Sequence, residues 1–136
     1  MKTKITFLLL FLTVSCSYKS GKGAILERSE FKKTEAIKVH DELMAQMGEL
    51  RSLEKKLLVV LLNNDSLDRN DSIEIAIKRV EAADKSMWDW MHDFDVAYVA
   101  DTDSLTFIYF DSKLESIQHV KMLFDSAIYK SLKLVE

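Results

Sequence analysis

The chain contains no proline, only three glycines and a single cysteine among its 136 residues. Because proline interrupts helices and is common in loops, its absence favours long helices joined by few turns. Two of the glycines lie before residue 28, which leaves Gly48 as the only glycine of the predicted folded part. A glycine-rich phosphate loop is therefore excluded there. A single cysteine also excludes an internal disulfide.

The first sixteen residues, MKTKITFLLLFLTVSC, predict an export signal that is cleaved directly before Cys16. Lys2 and Lys4 supply a positive start, and residues 5–12 form an apolar run too short for a permanent membrane span. A small residue, Ser15, stands directly before Cys16, which resembles the lipobox of bacterial lipoproteins. Proteins of that class are cleaved before the cysteine, whose sulfur and new amino group then carry acyl chains such as palmitate.

Two interpretations of Cys16 stay open at this point. Thr13 occupies the position, three residues before the cysteine, where the lipobox usually has leucine. An ordinary secretory signal with an incidental cysteine is therefore the alternative. Lipidation is favoured, because a lone free thiol is unusual in an exported chain and several acyl chains anchor a protein stably. We expect a signal peptide over residues 1–15, then the lipidated Cys16 with a flexible tether over residues 16–28.

The charge of the chain argues against nucleic acid as a partner. The sequence has 19 basic and 22 acidic residues, and loss of Lys2 and Lys4 with the leader takes the net charge from −3 to −5. The basic residues are scattered instead of forming a patch. The predicted partner is the membrane, reached through the lipid anchor, and the location is the bacterial cell envelope, facing the periplasm. The sequence leaves open which protein partner binds.

Residues 29–136 predict an all-α fold, because three segments repeat apolar residues with the helical period of 3.6. The first segment runs from about Ser29, a suitable N-cap, to about Leu62. The second starts near residues 71–72, and the third starts near Ser104. Three amphipathic helices with short connections predict an antiparallel up-down-up three-helix bundle.

One apolar stripe on each segment supplies the predicted core. The third segment opens with SLTFIYF, which is rich in strand-favouring residues, but nothing else in the chain provides a partner strand. A helix is therefore predicted there as well. The stripes are Ile37, His40, Leu43, Met44, Met47, Leu50, Leu53, Leu57 and Leu61; Ile73, Ile77, Val80, Ala83, Met87, Met91 and Phe94; and Phe110, Leu114, Ile117, Val120, Phe124, Ile128 and Leu132.

Two blocks of this sequence resemble a known group of proteins. They are VHDELMAQMGELRSLEKKLL at residues 39–58 and VEAADKSMWDWMHDF at residues 80–94. Both are similar to small lipoproteins of Bacteroidota-type bacteria that carry the label "viral A-type inclusion protein", a label that reflects coiled-coil-like composition. The resemblance implies a helical, exported and membrane-anchored protein, and it implies no particular activity.

Two faces rich in methionine are predicted to meet where the first and second helices form a hairpin. At about 100° per residue, Met87 and Met91 point the same way from the second helix. His40, Met44 and Met47 likewise share one face of the first helix. With the turn between the two helices placed as predicted, these five side chains fall within about two helical turns of one another.

This cluster supports two interpretations that differ in function. Thioethers and imidazole together are the ligands that select Cu(I) or Ag(I), so the cluster predicts a soft-metal site as the alternative function. Methionine also fills cores and packs well against aromatic rings, and Trp90 and Phe94 stand beside it in MWDWMHDF. The core interpretation, without a cofactor, is favoured. His92 points away from the seam and adds nothing to either interpretation.

Enzymatic signatures are absent from the sequence. His40, Asp41 and Glu42 look catalytic in print, but consecutive helical side chains diverge by about 100° and cannot converge. Cys16 is not available as a nucleophile once it is lipidated. We therefore expect a non-catalytic, lipid-anchored envelope protein that acts through protein contacts or as a structural component. Trp88, off the methionine stripe, is either exposed on a partner surface or packed under the third helix, and packing is favoured.

Overall fold

Three helices make up the part of the chain that the structure, a computed structural model, describes, which is residues 21–135. They are α1 Gly21–Leu62, α2 Leu67–Asp93 and α3 Asp103–Val135. Each helix contacts the other two, and α1 and α3 share the largest interface. The predicted all-α fold of three packed helices is therefore confirmed. The predicted signal peptide and Cys16 lie outside the described residues.

The contacts between helices fix their directions. Lys32 near the start of α1 pairs with Asp111 near the start of α3, with 2.6 Å between Nζ and Oδ1. Val59 and Val135, near the ends of the same two helices, line one cleft. α1 and α3 are therefore parallel, and α2, joined to each by a short connection, runs antiparallel to both. We call the end at which α1 and α3 begin the proximal end, and the opposite one the distal end.

The helices bury one apolar face each in a single core, as the spacing of three and four residues predicts. Met44 and Leu132 are exceptions: both belong to the predicted stripes, yet both are exposed. The adjacent Leu43, also a member of the predicted stripe, and Ser131, which was in no stripe, are fully buried, since adjacent helical residues diverge by about 100°. The largest fully buried apolar side chains are Phe110, Phe124, Leu43, Leu50, Leu53, Leu57, Ile73, Met87, Ile117 and Val80.

α1 begins at Gly21, eight residues before the predicted start at Ser29. Residues 21–28, which we expected to belong to a flexible tether, are therefore helical; residues 16–20 lie outside the described part. Ser29 does not cap the helix: it is fully buried, and its hydroxyl donates to the Ile25 carbonyl at 3.0 Å. Ile25 in turn lies against the first turns of α3, with Phe107 on the same cleft. Packing on α3 thus stabilises a helical turn that glycine alone disfavours.

α2 begins at Leu67, earlier than the predicted start near residues 71–72. The turn before it is closed by two amides. The Asn64 side chain donates to Asn70 Oδ1 at 2.8 Å, and the Asn70 side chain donates to the Asn64 carbonyl at 3.2 Å. This exchange across the turn lets the helix start at once after Ser66. The end of α1 at Leu62 is as predicted.

The connection between α2 and α3, residues 94–102, is fastened to α3 by side-chain hydrogen bonds. The Tyr109 hydroxyl accepts from the Asp95 amide at 2.7 Å and donates to the Asp93 carbonyl at 3.2 Å. Thr106 Oγ1 accepts from the Ala100 amide at 3.0 Å. α3 begins at Asp103, within one residue of the prediction, and SLTFIYF is helical throughout. Among residues 21–135, no helix combines the length and apolar character that crossing a bilayer requires.

Candidate functional site

The methionines predicted to form a cluster occupy different environments at the seam between α1 and α2. Met47 and Met87 are buried members of the hydrophobic core. Met91 is partly buried and packs against that core, whereas Met44 is 39% exposed. The structure therefore places two of the four thioethers inside the core and the other two nearer the surface.

His40 lies at the rim of an open cleft between α1 and α2. Its ring stacks on Trp90, with 5.6 Å between the ring centroids and 27° between the planes. Its Nδ1 lies 2.9 Å from Asp41 Oδ1. The cleft encloses about 270 Å³, and it is lined by Ile37, His40, Asp41, Trp90, Met91 and Phe94. Of the five residues predicted as metal ligands, the structure thus brings His40 and Met91 to one solvent-accessible cleft.

Trp90 is the centre of this seam. Its indole Nε1 donates to the Lys113 carbonyl and to Ser116 Oγ, both at 3.1 Å, so α3 supplies the polar partners of a buried side chain. On its other side it stacks on Phe94, with 4.5 Å between centroids. Phe94 meets Phe110 of α3 edge-on at 6.3 Å. The rings therefore form one continuous row that joins all three helices.

Sequence reasoning missed the contribution of α3 to this site. A seam was expected between α1 and α2 alone, yet Lys113 and Ser116 satisfy the indole and Phe110 extends the row of rings. One signal was present in the sequence. A buried tryptophan needs a partner for its N–H, and the apolar stripe of its own helix offers none to Trp90.

The chemistry available in the cleft is limited. Met91 provides one thioether, and His40 provides an imidazole whose Nδ1 is already beside Asp41. In the described part of the chain, no three or more His, Cys, Asp or Glu side chains gather in a way that would hold a metal ion. Because thioether ligands are a different set, the soft-metal site stays a prediction.

The residues predicted to lie off the seam are on the surface. Trp88 is 40% exposed, so the exposed alternative holds and the favoured packing under α3 is wrong. His92 is exposed too, and its Nδ1 lies 2.7 Å from the Trp88 carbonyl. Neither residue lines the cleft of His40. Trp90 faces α3 instead, since its indole nitrogen donates to the Lys113 carbonyl of that helix.

Comparison with known proteins adds no relative to this picture. No family model, no curated protein and no solved structure matches the chain. The resemblance to the small lipoproteins labelled "viral A-type inclusion protein" therefore stays a prediction that rests on the two sequence blocks.

Proposed function

We propose that the protein is a non-catalytic, lipid-anchored component of the bacterial cell envelope that faces the periplasm and acts through protein contacts or as a structural element. The observation that carries this proposal is the position of Cys16. It is the only cysteine, it directly follows a leader-like segment, and α1 begins only five residues later. A chain of this kind meets the membrane through its acyl chains and projects a helical bundle away from it.

The bundle supports a role in contacts in preference to chemistry. Clefts among the described residues are open to solvent and enclose about 180–340 Å³, with about 270 Å³ in the cleft of His40. Small-molecule sites usually enclose roughly 300–1,000 Å³ and bury most of their ligand. Exposed apolar side chains, among them Trp88 and Phe31, offer contact area to a partner instead.

Replacing the predicted lipidated residue tests this proposal. We expect Cys16→Ala to abolish acylation and to release the protein from the membrane fraction, because the thiol is the attachment point. Mass spectrometry of the mature protein measures the acyl chains, and fractionation measures the location. Ser20→Ala is the matched control and should remain acylated and membrane-bound. Unchanged mass and fractionation of the Cys16 variant would refute lipidation.

Soft-metal binding is the second candidate, and the shared cleft of His40 and Met91 favours it. Cu(I) bound there would use the imidazole and the thioether, with Met44 on the neighbouring surface as a further thioether. The core methionines, Met47 and Met87, would contribute only if the core opened. This separation makes the candidate testable without disturbing the core.

Titration of the mature protein in detergent with Cu(I), against a competing chelator, measures this candidate. We expect a His40→Gln, Met44→Leu, Met91→Leu variant to bind at least about tenfold more weakly than the wild type if the site exists, a loss of about 1.4 kcal/mol. Met122→Leu, an exposed methionine on α3, is the control. Equal affinity of all three proteins would show that the cluster is only packing.

A further inference from the structure

The proximal end of the bundle exposes a group of large apolar side chains. They come from three segments: the first turns of α1, the connection between α2 and α3, and the first turns of α3. We call this group the proximal patch, and it consists of Leu26, Phe31, Val96, Val99, Leu105 and Ile108. Exposed apolar residues scattered singly need no explanation, whereas several at one end of a molecule indicate a contact surface.

Contacts between the segments hold this end together. Ile25 and Arg28 of α1 line one cleft with Phe107 and Ile108 of α3. The connection lies on α3, because the rings of Tyr98 and Tyr109 stack with 3.9 Å between their centroids. The patch is therefore built on elements that are packed against one another.

Two members of the patch, Val96 and Val99, sit on a connection with a defined conformation. Val96 and Val99 lie between the Asp95 amide, bonded to the Tyr109 hydroxyl, and the Ala100 amide, bonded to Thr106 Oγ1. Both valines are nonetheless exposed, and Val99 reaches 83%. The hydrogen bonds thus hold two apolar side chains in water at a fixed place.

The short distance along the chain from Cys16 to α1 indicates that the lipid bilayer is the surface next to this end. Gly21 follows Cys16 by five positions, and five fully extended residues span at most about 18 Å. An acyl chain on Cys16 therefore keeps the start of α1 close to the bilayer. The distal end is out of this reach, since α1 alone has 42 helical residues. The proximal patch is the apolar surface nearest to the lipid.

The charges at this end indicate which kind of lipid contact to expect. Asp101 is exposed in the connection and Asp103 begins α3, and both are acidic. Lys22, Arg28, Lys32 and Lys33 at the start of α1 are basic, but Glu27 and Glu30 stand among them, so the described residues of this end carry no net positive charge. Attraction to anionic headgroups is favoured by an excess of basic residues, which the described residues of this end do not have. The contact would therefore be made by apolar side chains at the interface, as in proteins that lie on a bilayer through an apolar face.

We propose that the proximal patch rests in the lipid interface, so that the bundle stands on the membrane on Val96, Val99 and the first turns of α1 and α3. This inference rests on the proposed lipidation of Cys16 and adds an orientation to it. The distal turn between α1 and α2 then points away from the bilayer.

Spin labels at two equally exposed positions test the orientation. Val99 at the proximal end is 83% exposed and Leu62 at the distal end is 84% exposed. Val99→Cys and Leu62→Cys, each labelled with a nitroxide, are prepared in acylated full-length mature protein and reconstituted in phosphatidylcholine vesicles. The measurement is the accessibility of each label to oxygen, which concentrates in lipid, relative to a water-soluble neutral nickel chelate. We expect this ratio to be several-fold higher for the Val99 label.

The same samples separate the inference from the proposal on which it rests. Mass spectrometry of each preparation reports whether Cys16 carries acyl chains. An unacylated cysteine overturns the lipid anchor, and with it the orientation. An acylated protein whose Val99 label is as water-accessible as its Leu62 label overturns the orientation alone, and assigns the patch to a protein partner. Replacing one fifth of the lipid with phosphatidylglycerol should not raise the Val99 ratio, and a marked rise would contradict the apolar mode of contact.

Discussion

The proximal and distal ends of the bundle treat buried hydroxyl groups in opposite ways. At the proximal end, Ser29 donates to the Ile25 carbonyl, and Thr106 both accepts from Ala100 and donates to the Thr102 carbonyl. At the distal end, the fully buried Ser131 Oγ has no hydrogen-bond partner. An unsatisfied buried polar group costs free energy of folding, whereas a bonded one does not. The buried hydroxyl groups Ser29 and Thr106 of the proximal end are therefore hydrogen-bonded, whereas that of Ser131 at the distal end is not.

The connections at the two ends differ in the same sense. The proximal connection is fastened to α3 by Tyr109 and Thr106, which lie on a different element. The distal turn is closed mainly by its own Asn64 and Asn70, with one bond from Arg69 to the Leu134 carbonyl at 3.3 Å. The position of the proximal connection is therefore fixed relative to α3, whereas the distal turn depends mainly on bonds within itself. The connection that carries Val96 and Val99 is therefore also the one whose conformation is fixed by side chains of α3.

The largest expected effect comes from removing the side chain that ties the proximal half together. Trp90→Ala should lower the free energy of unfolding by about 3–5 kcal/mol, because it leaves a cavity and removes the ring stack and the bonds to α3. Urea unfolding followed by circular dichroism measures this loss. Trp88→Ala, two residues away and exposed, is the control and should cost less than about 1 kcal/mol. Equal losses for the two variants would contradict the central role of Trp90.

A smaller effect is expected midway between the two ends. Gly48 lies within α1, and a Cβ added to it would meet no heavy atom within 4 Å. Gly48→Ala should therefore raise the free energy of unfolding by about 1 kcal/mol through helix propensity alone. Chemical denaturation measures the gain. Any loss of stability would mean that the position faces a neighbour in the protein as it exists.

The smallest effects should have opposite signs at the two ends. Ser131→Ala removes a buried hydroxyl without a partner, and we expect a gain of about 0.5 kcal/mol after the loss of some packing. Ser29→Ala removes a bonded hydroxyl and should bring no gain, with a loss of up to about 1 kcal/mol. Denaturation midpoints of the two variants measure the difference. A gain at Ser29 equal to that at Ser131 would remove the contrast between the ends.

The helices and most of the core could be predicted because the apolar period is carried by the sequence itself. One departure from prediction depended on a contact far away in the chain, and the other on side-chain bonds across a turn. Gly21 lies in a helix because Ile25 packs on α3, and Leu67 starts α2 because Asn64 and Asn70 bond across the turn. Neither contact leaves a periodic signal.

The candidate site was predicted in part for the same reason. A hairpin of two helices was enough to bring His40 toward Trp90 and Phe94. It was not enough to place Met44, which is exposed because α1 turns its buried face toward α3 as well as α2. Side-chain packing sets where a third helix lies around a hairpin, and the periodic apolar stripe of a single helix does not predict that position.

The length of the continuous α1 helix sets the length of the bundle. Its 42 residues correspond to about 63 Å at about 1.5 Å per residue, and α3 runs beside it over most of that length. If the bundle stands upright in the orientation proposed above, the exposed Leu62 and Leu67 would lie roughly 60 Å above the lipid. The length of the helices would then set the distance of these two residues from the lipid, and seven further residues in each helix would increase it by about 10 Å.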